Sequence, residues 1–252
     1  MRSVDQLGNE LVFEELPRRI ISLVPSITEL LCDLGLEDRL LGCTKFCVHP
    51  QDLRKSKTIV GGTKSLHFDR IKGLKPDLII ANKEENRRED IEELDRYYRC
   101  WVSEVKTYAD GEDMNRSLAK IFGLESAAEQ IIEQNRGALP NPRPKHGSAL
   151  YLIWRKPYMS VGGDTYIHDM LERCGYTNCL ADQKRYPSLS EEAIAELAPQ
   201  HLLLSSEPFP FKEKHLEELQ ALCPNAQVRL VDGEFYSWYG SRLGNIAKEQ
   251  KS

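Results

Sequence analysis

Residues 19–31 have the sequence RIISLVPSITELL, and this stretch decides the class of fold. Arg19–Val24 is a run of β-branched and other apolar residues that predicts a buried strand. Pro25 and Ser26 then begin a helix, because Ser26 and Glu29 have the spacing of a capping box and leucines follow at helical spacing. A strand that leads directly into a helix predicts an α/β fold with a parallel sheet.

The same alternation continues in two halves of the chain. The further predicted strands are Leu40–Gly42, Thr58–Val60, Leu78–Ala81, Cys100–Val102, Ala149–Trp154, His201–Leu204 and Val228–Val231. Between the halves, a helical stretch from Glu112 to Gly137 is interrupted near Gly123 and is followed by three prolines that end it. We therefore predict an N-terminal lobe at 1–110, a helical bridge at 111–144 and a C-terminal lobe at 145–252.

Composition excludes several classes of protein. Hydrophobic residues make up 40% and charged residues 29% of the 252 residues, which is typical of a globular protein. The net charge is −5, and the basic residues are scattered instead of forming a stripe, so we expect no nucleic-acid partner. The longest apolar runs have the length of a strand, whereas a membrane helix needs about 20 apolar residues.

The N-terminus and the cysteines bear on the compartment. Residues 2–13 predict a hairpin that turns at Gly8–Asn9. No apolar segment follows a basic start, so we expect no signal peptide and a cytoplasmic chain as written, or a periplasmic one if a leader has been removed. Seven cysteines are an odd set, which favours a reducing compartment.

Several motifs, in order along nearly the whole chain, carry a resemblance to a known family. They are Arg19–Leu31, Val60–Thr63, Ile71–Ile80, Gly162–Tyr166, Met170–Leu171, Gly175, Tyr186–Pro187 and Ser190–Glu192. Together they resemble the helical-backbone metal receptor family, the binding proteins of vitamin B12 and siderophore ABC importers. The segments KFCVHP at 45–50 and ANKEEN at 81–86 are similar to those of a leaderless subgroup.

The resemblance implies a fold and a function. It implies two Rossmann-like lobes, each with a mainly parallel sheet, bridged by a helix, with the ligand in the cleft. It also implies a monomeric substrate-binding protein, not an enzyme, that carries a corrinoid, an iron–siderophore or a haem-like ligand and has no intrinsic cofactor. Importing members dock onto an ABC permease through one acidic residue on each lobe, and the matching positions are Asp69 and Glu192. The B12 receptors have Trp where this chain has Thr63 and Tyr186, so the chain departs from them there.

Candidate ligand residues follow from the rule that open α/β sheets bind ligands beyond the carboxyl ends of their strands. The first-lobe candidates are Pro25, Ser26, Lys45, Phe46, Cys47, His49, Thr63, Lys64, Asn82, Lys83 and Glu84. The second-lobe candidates are Trp154, Arg155, Tyr158, Tyr186, Glu207, Tyr236 and Trp238. The aromatic members suit a flat macrocycle, and the cationic members suit an anionic chelate unless they are ordinary solvated side chains.

Cys43, Cys47 and His49 form a second kind of candidate. Thiolate and imidazole are ligands for zinc or iron, and one loop supplies all three donors. The alternative is that Cys43 is a buried residue that ends a strand, while Cys47 and His49 line the cleft. Two alternative functions stay open: a cytosolic cofactor-processing or redox enzyme that uses Cys47 and His49, and a ligand-dependent sensor that shares the cleft with the receptor and differs in its partner. A catalytic pair needs the two side chains within hydrogen-bond reach.

Overall fold

The computed structural model describes residues 2–250 and divides them into two compact units. The first unit contains the residues up to Val105, the segment Ala109–Arg136 and the C-terminal segment from Tyr239. The second unit contains Lys106–Tyr108 and Gly137–Trp238. Among the described residues, no helix combines the length and apolar character that crossing a membrane requires.

The first unit is built on a five-stranded parallel sheet in the order β5-β4-β3-β8-β9. These strands are β3 (Ile20–Ser22), β4 (Leu40–Cys43), β5 (Thr58–Ile59), β8 (Leu78–Asn82) and β9 (Cys100–Ser103). All five residues of β8 are buried, as expected for a central parallel strand that is covered on both faces. Apolar side chains of β3, β8 and β9 pack into one core with Val60 and Ile71.

Within residues 2–250, the first unit also contains two short hairpins, seven α-helices and the 3-10 helix Glu37–Arg39. The hairpins are β1 (Arg2–Val4) with β2 (Glu10–Val12), and β6 (Gly61–Gly62) with β7 (Ser65–Leu66). The helices are α1 (Pro25–Asp33), α2 (Leu53–Ser56), α3 (Phe68–Leu74), α4 (Arg88–Asp95), α5 (Tyr108–Phe122), α6 (Glu125–Ala138) and α11 (Arg242–Glu249). The first residue of α5 and the last two residues of α6 belong to the second unit. The N-terminal hairpin and the helix break at Gly123 confirm the sequence prediction.

The second unit is built on a four-stranded parallel sheet in the order β12-β10-β14-β15. Its strands are β10 (Gly147–Leu152), β12 (Tyr176–Asn178), β14 (His201–Ser205) and β15 (Gln227–Val231), and a small hairpin pairs β11 (Tyr158–Met159) with β13 (Ser188–Leu189). Its helices are α7 (Tyr166–Arg173), α8 (Glu191–Leu197), α9 (Glu213–Leu222) and α10 (Gly233–Ser237). Leu150, Leu202 and Leu204 pack with Ile194 and Leu219 in its core. The predicted α/β class, with a parallel sheet in each half, is confirmed.

The start of α1 differs from the predicted capping box. Val24 is the residue at the N-cap, since Pro25 occupies the first helical position, and its hydrocarbon side chain has no atom that could cap the helix. Ser26 therefore lies inside the helix, and the carboxylate of Glu29 points to other partners.

The C-terminal segment packs on the first unit, whereas the sequence prediction grouped it with residues 145–252. The carbonyl oxygen of Gly240 accepts hydrogen bonds from the Nδ2 atoms of Asn115 (3.1 Å) and Asn135 (2.6 Å). Gly240 has φ +99° and approaches the carbonyl of Ser26, a backbone conformation that glycine adopts without strain. Nothing in the local sequence around Gly240 indicates these partners, which lie more than a hundred residues away.

A buried ion pair fixes α11 to α1. Arg242 Nη1 donates to Glu29 Oε1 at 2.9 Å, and both side chains are almost fully buried. Asn245 Nδ2 donates to the same carboxylate oxygen at 2.9 Å. Burial raises the pKa of Glu29, while the hydrogen bonds from Asn245 and Arg242 oppose that shift.

We expect Arg242→Met to lower the free energy of unfolding by about 3–5 kcal/mol, because it leaves a buried carboxylate without its cationic partner. Adding Glu29→Gln to this variant restores part of the loss, since the two residues act as a pair. Urea unfolding measures both effects. Arg116→Met is the matched control, because Arg116 and its nearest partner Glu129 are exposed and such pairs contribute about 1 kcal/mol or less. Equal losses for Arg242→Met and Arg116→Met would contradict this account.

Candidate ligand-binding edges of the two sheets

Parallel strands bring the predicted site residues of each unit to one side of its sheet. In the first unit we call the residues that follow β3, β4 and β8 the first edge: 23–26, 44–49 and 83–86. In the second unit we call the residues that follow β10, β14 and β15 the second edge: 153–158, 206–209 and 232–238. Each edge lies where the chains of neighbouring parallel strands leave the sheet, which is the usual position of ligand sites in such folds.

Two asparagines hold the first edge together. Asn82 Oδ1 accepts from the backbone N–H groups of Glu84 (2.8 Å) and Glu85 (3.1 Å), which fixes the loop after β8 as an Asx turn. Asn86 Oδ1 accepts from Asn82 N at 2.9 Å, and its Nδ2 donates to Thr63 O at 2.9 Å and more weakly to the backbone after β3. Asn86 thereby ties the β6–β7 hairpin to the end of β8.

The sequence did not indicate that Asn86 and Tyr239 hold the loops of the first edge in place. Asn86 is buried, and the sequence signal that could have identified it is its position four residues after Asn82, the asparagine that ends β8. Tyr239 is also buried, and its hydroxyl donates to Glu85 Oε1 at 2.9 Å. Since 154 positions separate these two residues, no local pattern indicates their contact.

The loop after β4 presents one aromatic ring and one cation. Phe46 is 49% exposed, although it is a large hydrophobic side chain. Lys45 Nζ lies 5.0 Å from the centroid of the Phe46 ring, within the range of a cation–π contact. Gly62 of the β6–β7 hairpin lies directly against both side chains. Lys45 and Phe46 therefore lie on the surface of the first edge.

The predicted metal donors are not arranged as a metal site. Within residues 2–250, no group of three or more His, Cys, Asp or Glu side chains has a geometry that could hold a metal ion. The sulfur of Cys47 instead lies 3.2 Å from Thr28 Oγ1 and 3.4 Å from Thr44 Oγ1. His49 is partly buried. The three-donor hypothesis for Cys43, Cys47 and His49 therefore has no support from the described residues.

The remaining first-edge candidates differ in exposure. Pro25 and Ser26 are buried in the first turn of α1, so neither presents a side chain at the surface. Lys64 is exposed. Lys83 Nζ forms an ion pair with Glu104 at 2.8 Å, which offsets part of the positive charge that the sequence predicted for this edge.

The second edge also presents one exposed aromatic ring. Trp154 is 40% exposed, and its ring meets the ring of Phe209 at 5.8 Å in an edge-on contact. The neighbouring Arg155 donates to both carboxylate oxygens of Glu218 at 2.6 Å, and the hydroxyl of Tyr158 donates to the same carboxylate at 2.7 Å. Arg155 and Tyr158 are therefore held by Glu218, a residue on α9 that the sequence reasoning missed.

Glu207 organises the other half of the second edge. Its Oε1 accepts from Ser237 Oγ at 2.7 Å and from Trp238 Nε1 at 2.8 Å. Burial raises the pKa of Glu207, and the hydrogen bond from Ser237 opposes that shift. Trp238 is only 7% exposed, so its ring is part of the packing around Glu207.

Of the two further predicted aromatic residues, one is buried and the other lies outside this cluster. Tyr236 is 8% exposed, and its ring packs 5.3 Å from the ring of Tyr151. Tyr186 is partly buried beside the guanidinium of Arg185, near β13. Trp154 is thus the predicted second-edge aromatic residue with the most exposed surface.

Comparisons with known proteins agree with this architecture. The model of the family described as "Periplasmic binding protein" matches residues 20–225. An uncharacterized ABC transporter substrate-binding lipoprotein, YvrC of Bacillus subtilis, is 24% identical over 78% of this chain and 67% of its own length. A vitamin B12-binding protein of Vibrio vulnificus is 27% identical over 74% of this chain and 71% of its own length.

A solved structure supports the fold. A possible iron-binding, periplasmic solute-binding protein of Staphylococcus epidermidis aligns with a TM-score of 0.76 and 22% identity. The alignment covers 94% of this chain and 98% of that protein. At this level of identity the similarity establishes the fold.

Glu207→Gln tests the account of the second edge through its pH dependence. The folded-state pKa of Glu207 is raised, so the protonated carboxyl stabilises the folded state at low pH. This contribution to the free energy of unfolding is lost as the pH rises from about 4.5 through the folded-state pKa. Glutamine keeps the acceptor oxygen but cannot ionise. We therefore expect the melting temperature of Glu207→Gln, relative to the unsubstituted protein, to rise between pH 4.5 and neutral pH.

The matched control is Glu192→Gln, since the pKa of exposed Glu192 is lowered by the hydrogen bond with Ser190. This control should show no such relative rise. A melting-temperature difference for Glu207→Gln that stays constant across the pH range would show that burial does not set its titration.

Proposed function

The chain belongs to the periplasmic binding protein family, and from this premise we propose that it is a substrate-binding protein for a metal-bearing small molecule and serves an ABC importer. The family match over residues 20–225 supports the resemblance that the sequence motifs indicated, and it favours a receptor over the enzyme that would use Cys47 and His49. The observation that carries the proposal is one exposed aromatic ring at the ligand edge of each sheet, Phe46 and Trp154. Exposed apolar surface beside polar groups marks binding sites.

The ligand class is a corrinoid, an iron–siderophore or a haem-like molecule. A relative named for vitamin B12 binding supports this class, and vitamin B12 contains cobalt, a transition metal. Aromatic rings bury a large area against a flat or conjugated ligand at small cost in conformational entropy. Lys45 beside Phe46 suits an anionic substituent at the rim of such a ligand.

We propose as ligand contacts the residues of the two edges whose polar or aromatic side chains are exposed or partly exposed. On the first edge and the adjoining hairpin they are Lys45, Phe46, Thr63, Lys64, Lys83 and Glu84, supported by Asn82. On the second edge they are Trp154 and Arg155, supported by Tyr158 and Glu207. Lys83 and Arg155 each form an ion pair with a carboxylate. Ligand recognition at the two edges therefore depends mainly on contact with the aromatic rings and on hydrogen bonds.

A thermal-shift screen against cobalamin, cobinamide, haem and ferric siderophores tests the proposal. Saturation at about 100 times the dissociation constant stabilises the folded state by roughly 2.7 kcal/mol, which raises the melting temperature by several degrees. We expect one ligand class to give this shift. Phe46→Ala and Trp154→Ala should each weaken its binding about tenfold, since loss of one ring contact costs about 1.4 kcal/mol.

Tyr97→Ala is the matched control for these two substitutions. Tyr97 is 72% exposed and precedes β9 at the opposite end of the strand, so its removal should leave the shift unchanged. No shift with any of the four ligand classes would contradict the proposed function. Equal weakening by all three substitutions would contradict the assignment of the edges.

We also propose that Asp69 and Glu192 dock onto the permease. Each is exposed and lies in the first turn of a helix, α3 and α8 respectively, where a negative charge is favoured by the helix dipole. Exposed carboxylates at fixed helix starts suit recognition by arginine.

Charge reversal separates docking from ligand capture. Asp69→Lys and Glu192→Lys should leave the thermal shift unchanged but abolish co-sedimentation of the ligand-loaded protein with membranes of the source cell. Glu89→Lys, at the exposed start of α4, is the control that keeps co-sedimentation. Co-sedimentation of the double charge-reversal variant at the level of the unsubstituted protein would refute the docking proposal.

A further inference from the structure

A row of buried polar side chains connects the end of β3 with the turn that carries Phe46. We call it the polar row, and its members are Ser22, Thr28, Cys47 and Thr44. None of the four has exposed surface, so none can contact a ligand directly. Any part that the polar row has in ligand capture must therefore act through a residue that is exposed.

The inner end of the polar row lies on rigid elements. Thr28 Oγ1, on α1, lies 2.8 Å from Ser22 Oγ and 2.8 Å from Val24 O, and its single proton can be donated to either. Ser22 is the last residue of β3, and the next residue, Leu23, donates its N–H to Ile80 O at 2.8 Å. The hydroxyl of Thr28 is therefore held against backbone that the central strands of the sheet fix.

The outer end of the polar row reaches the backbone of Phe46. The thiol of Cys47 donates to Thr28 Oγ1 at 3.2 Å. Because this bond uses the one proton of the thiol, the 3.4 Å contact between the Cys47 sulfur and Thr44 Oγ1 takes its proton from Thr44. Thr44 Oγ1 accepts in turn from Phe46 N at 3.3 Å, as in an ST turn. These hydrogen bonds run in one direction from Phe46 to α1, and bonds in such a chain strengthen one another.

The exposed ring of Phe46 depends on this backbone for its direction. The side chain of Lys45, which contacts the ring, is itself exposed, and Gly62, which lies against the ring, contributes no side chain. A ring on a fixed backbone presents the same surface to each ligand molecule. Less conformational entropy is then lost when the ligand binds.

We propose that Thr28 is a positioning residue for ligand capture: its hydroxyl, through Cys47 and Thr44, fixes the backbone of Phe46 and hence the direction of the ring. The positioning is a property of the free protein, whereas its effect on affinity rests on the proposed function. If Thr28 only packed α1 against the core, its methyl group would matter and its hydroxyl would not. Thr28→Val keeps the shape and removes the hydroxyl, and Thr28→Ser keeps the hydroxyl and removes the methyl group, so the two roles predict opposite results.

Amide hydrogen exchange of Phe46, measured by NMR on the ligand-free protein, tests the positioning directly. Thr28→Val should raise the exchange rate about fivefold, since the loss of one hydrogen bond shifts a local opening equilibrium by that order. Thr28→Ser should keep the rate of the unsubstituted protein. Cys47→Ala interrupts the polar row from the side of the turn without changing α1, and it should reproduce the effect of Thr28→Val. The Lys83 amide, which donates to Ser103 O at 2.9 Å, is the internal standard and should exchange at one rate throughout.

Ser160→Ala is the matched control for the loss of a buried hydroxyl. Ser160 has no exposed surface, and its Oγ donates to Tyr151 O at 2.7 Å in the second unit. This variant should leave the exchange of the Phe46 amide unchanged. Unchanged exchange in both Thr28→Val and Cys47→Ala would overturn the proposal, and so would faster exchange in Thr28→Ser alone.

Affinity for the ligand found by the thermal-shift screen tests the effect on capture. Thr28→Val should weaken binding about fivefold, the same order as the loss of one hydrogen bond, and Thr28→Ser should not. In a Phe46→Ala background, Thr28→Val should cause no further loss, because it acts through the ring. Equal losses in the two backgrounds would overturn the effect on capture. Because exchange is measured without ligand, failure of the ligand screen contradicts the proposed function and leaves the positioning test intact.

Discussion

The parallel arrangement of strands is the constraint on which the rest of this structure depends. In each unit every strand of the main sheet runs in the same direction, so the loops that follow neighbouring strands leave the sheet on one side. The loop with Lys45 and Phe46 and the loop with Asn82 and Glu84 therefore share one edge, although nearly forty positions separate them in the chain. Trp154 and Glu207 share the corresponding edge of the second unit for the same reason.

Buried polar groups then fix these edges. Buried Asn86 hydrogen-bonds loop backbone, and partly buried Glu207 accepts hydrogen bonds from Ser237 and Trp238, so the loops that they contact have defined positions. A preorganised edge loses little conformational entropy when a ligand binds. A receptor benefits from this property, because ordering its loops on binding then subtracts less from the free energy of ligand binding.

The sequence predicted the features that depend on neighbouring residues. The strand–turn–helix unit at 19–31, the hairpin at Gly8–Asn9 and the helix break at Gly123 follow from local patterns, and the structure has all three. It could not predict contacts between distant residues. The pairing of Arg155 with Glu218 spans 63 positions, and that of Arg242 with Glu29 spans 213. For the same reason the burial of Trp238 on Glu207 was missed, because an aromatic cluster in a loop has the same sequence pattern whether it is exposed or packed.

The central claim is that this chain captures a metal-bearing small molecule, and native mass spectrometry tests it most directly. The purified protein is mixed with cobalamin, cobinamide, haem and a ferric siderophore together, passed through a desalting column and weighed under non-denaturing conditions, with elemental analysis of the same fraction. The account predicts a single added mass equal to one of these ligands, together with an equimolar amount of its cobalt or iron. A protein that emerges at its unliganded mass and free of cobalt and iron would contradict the account.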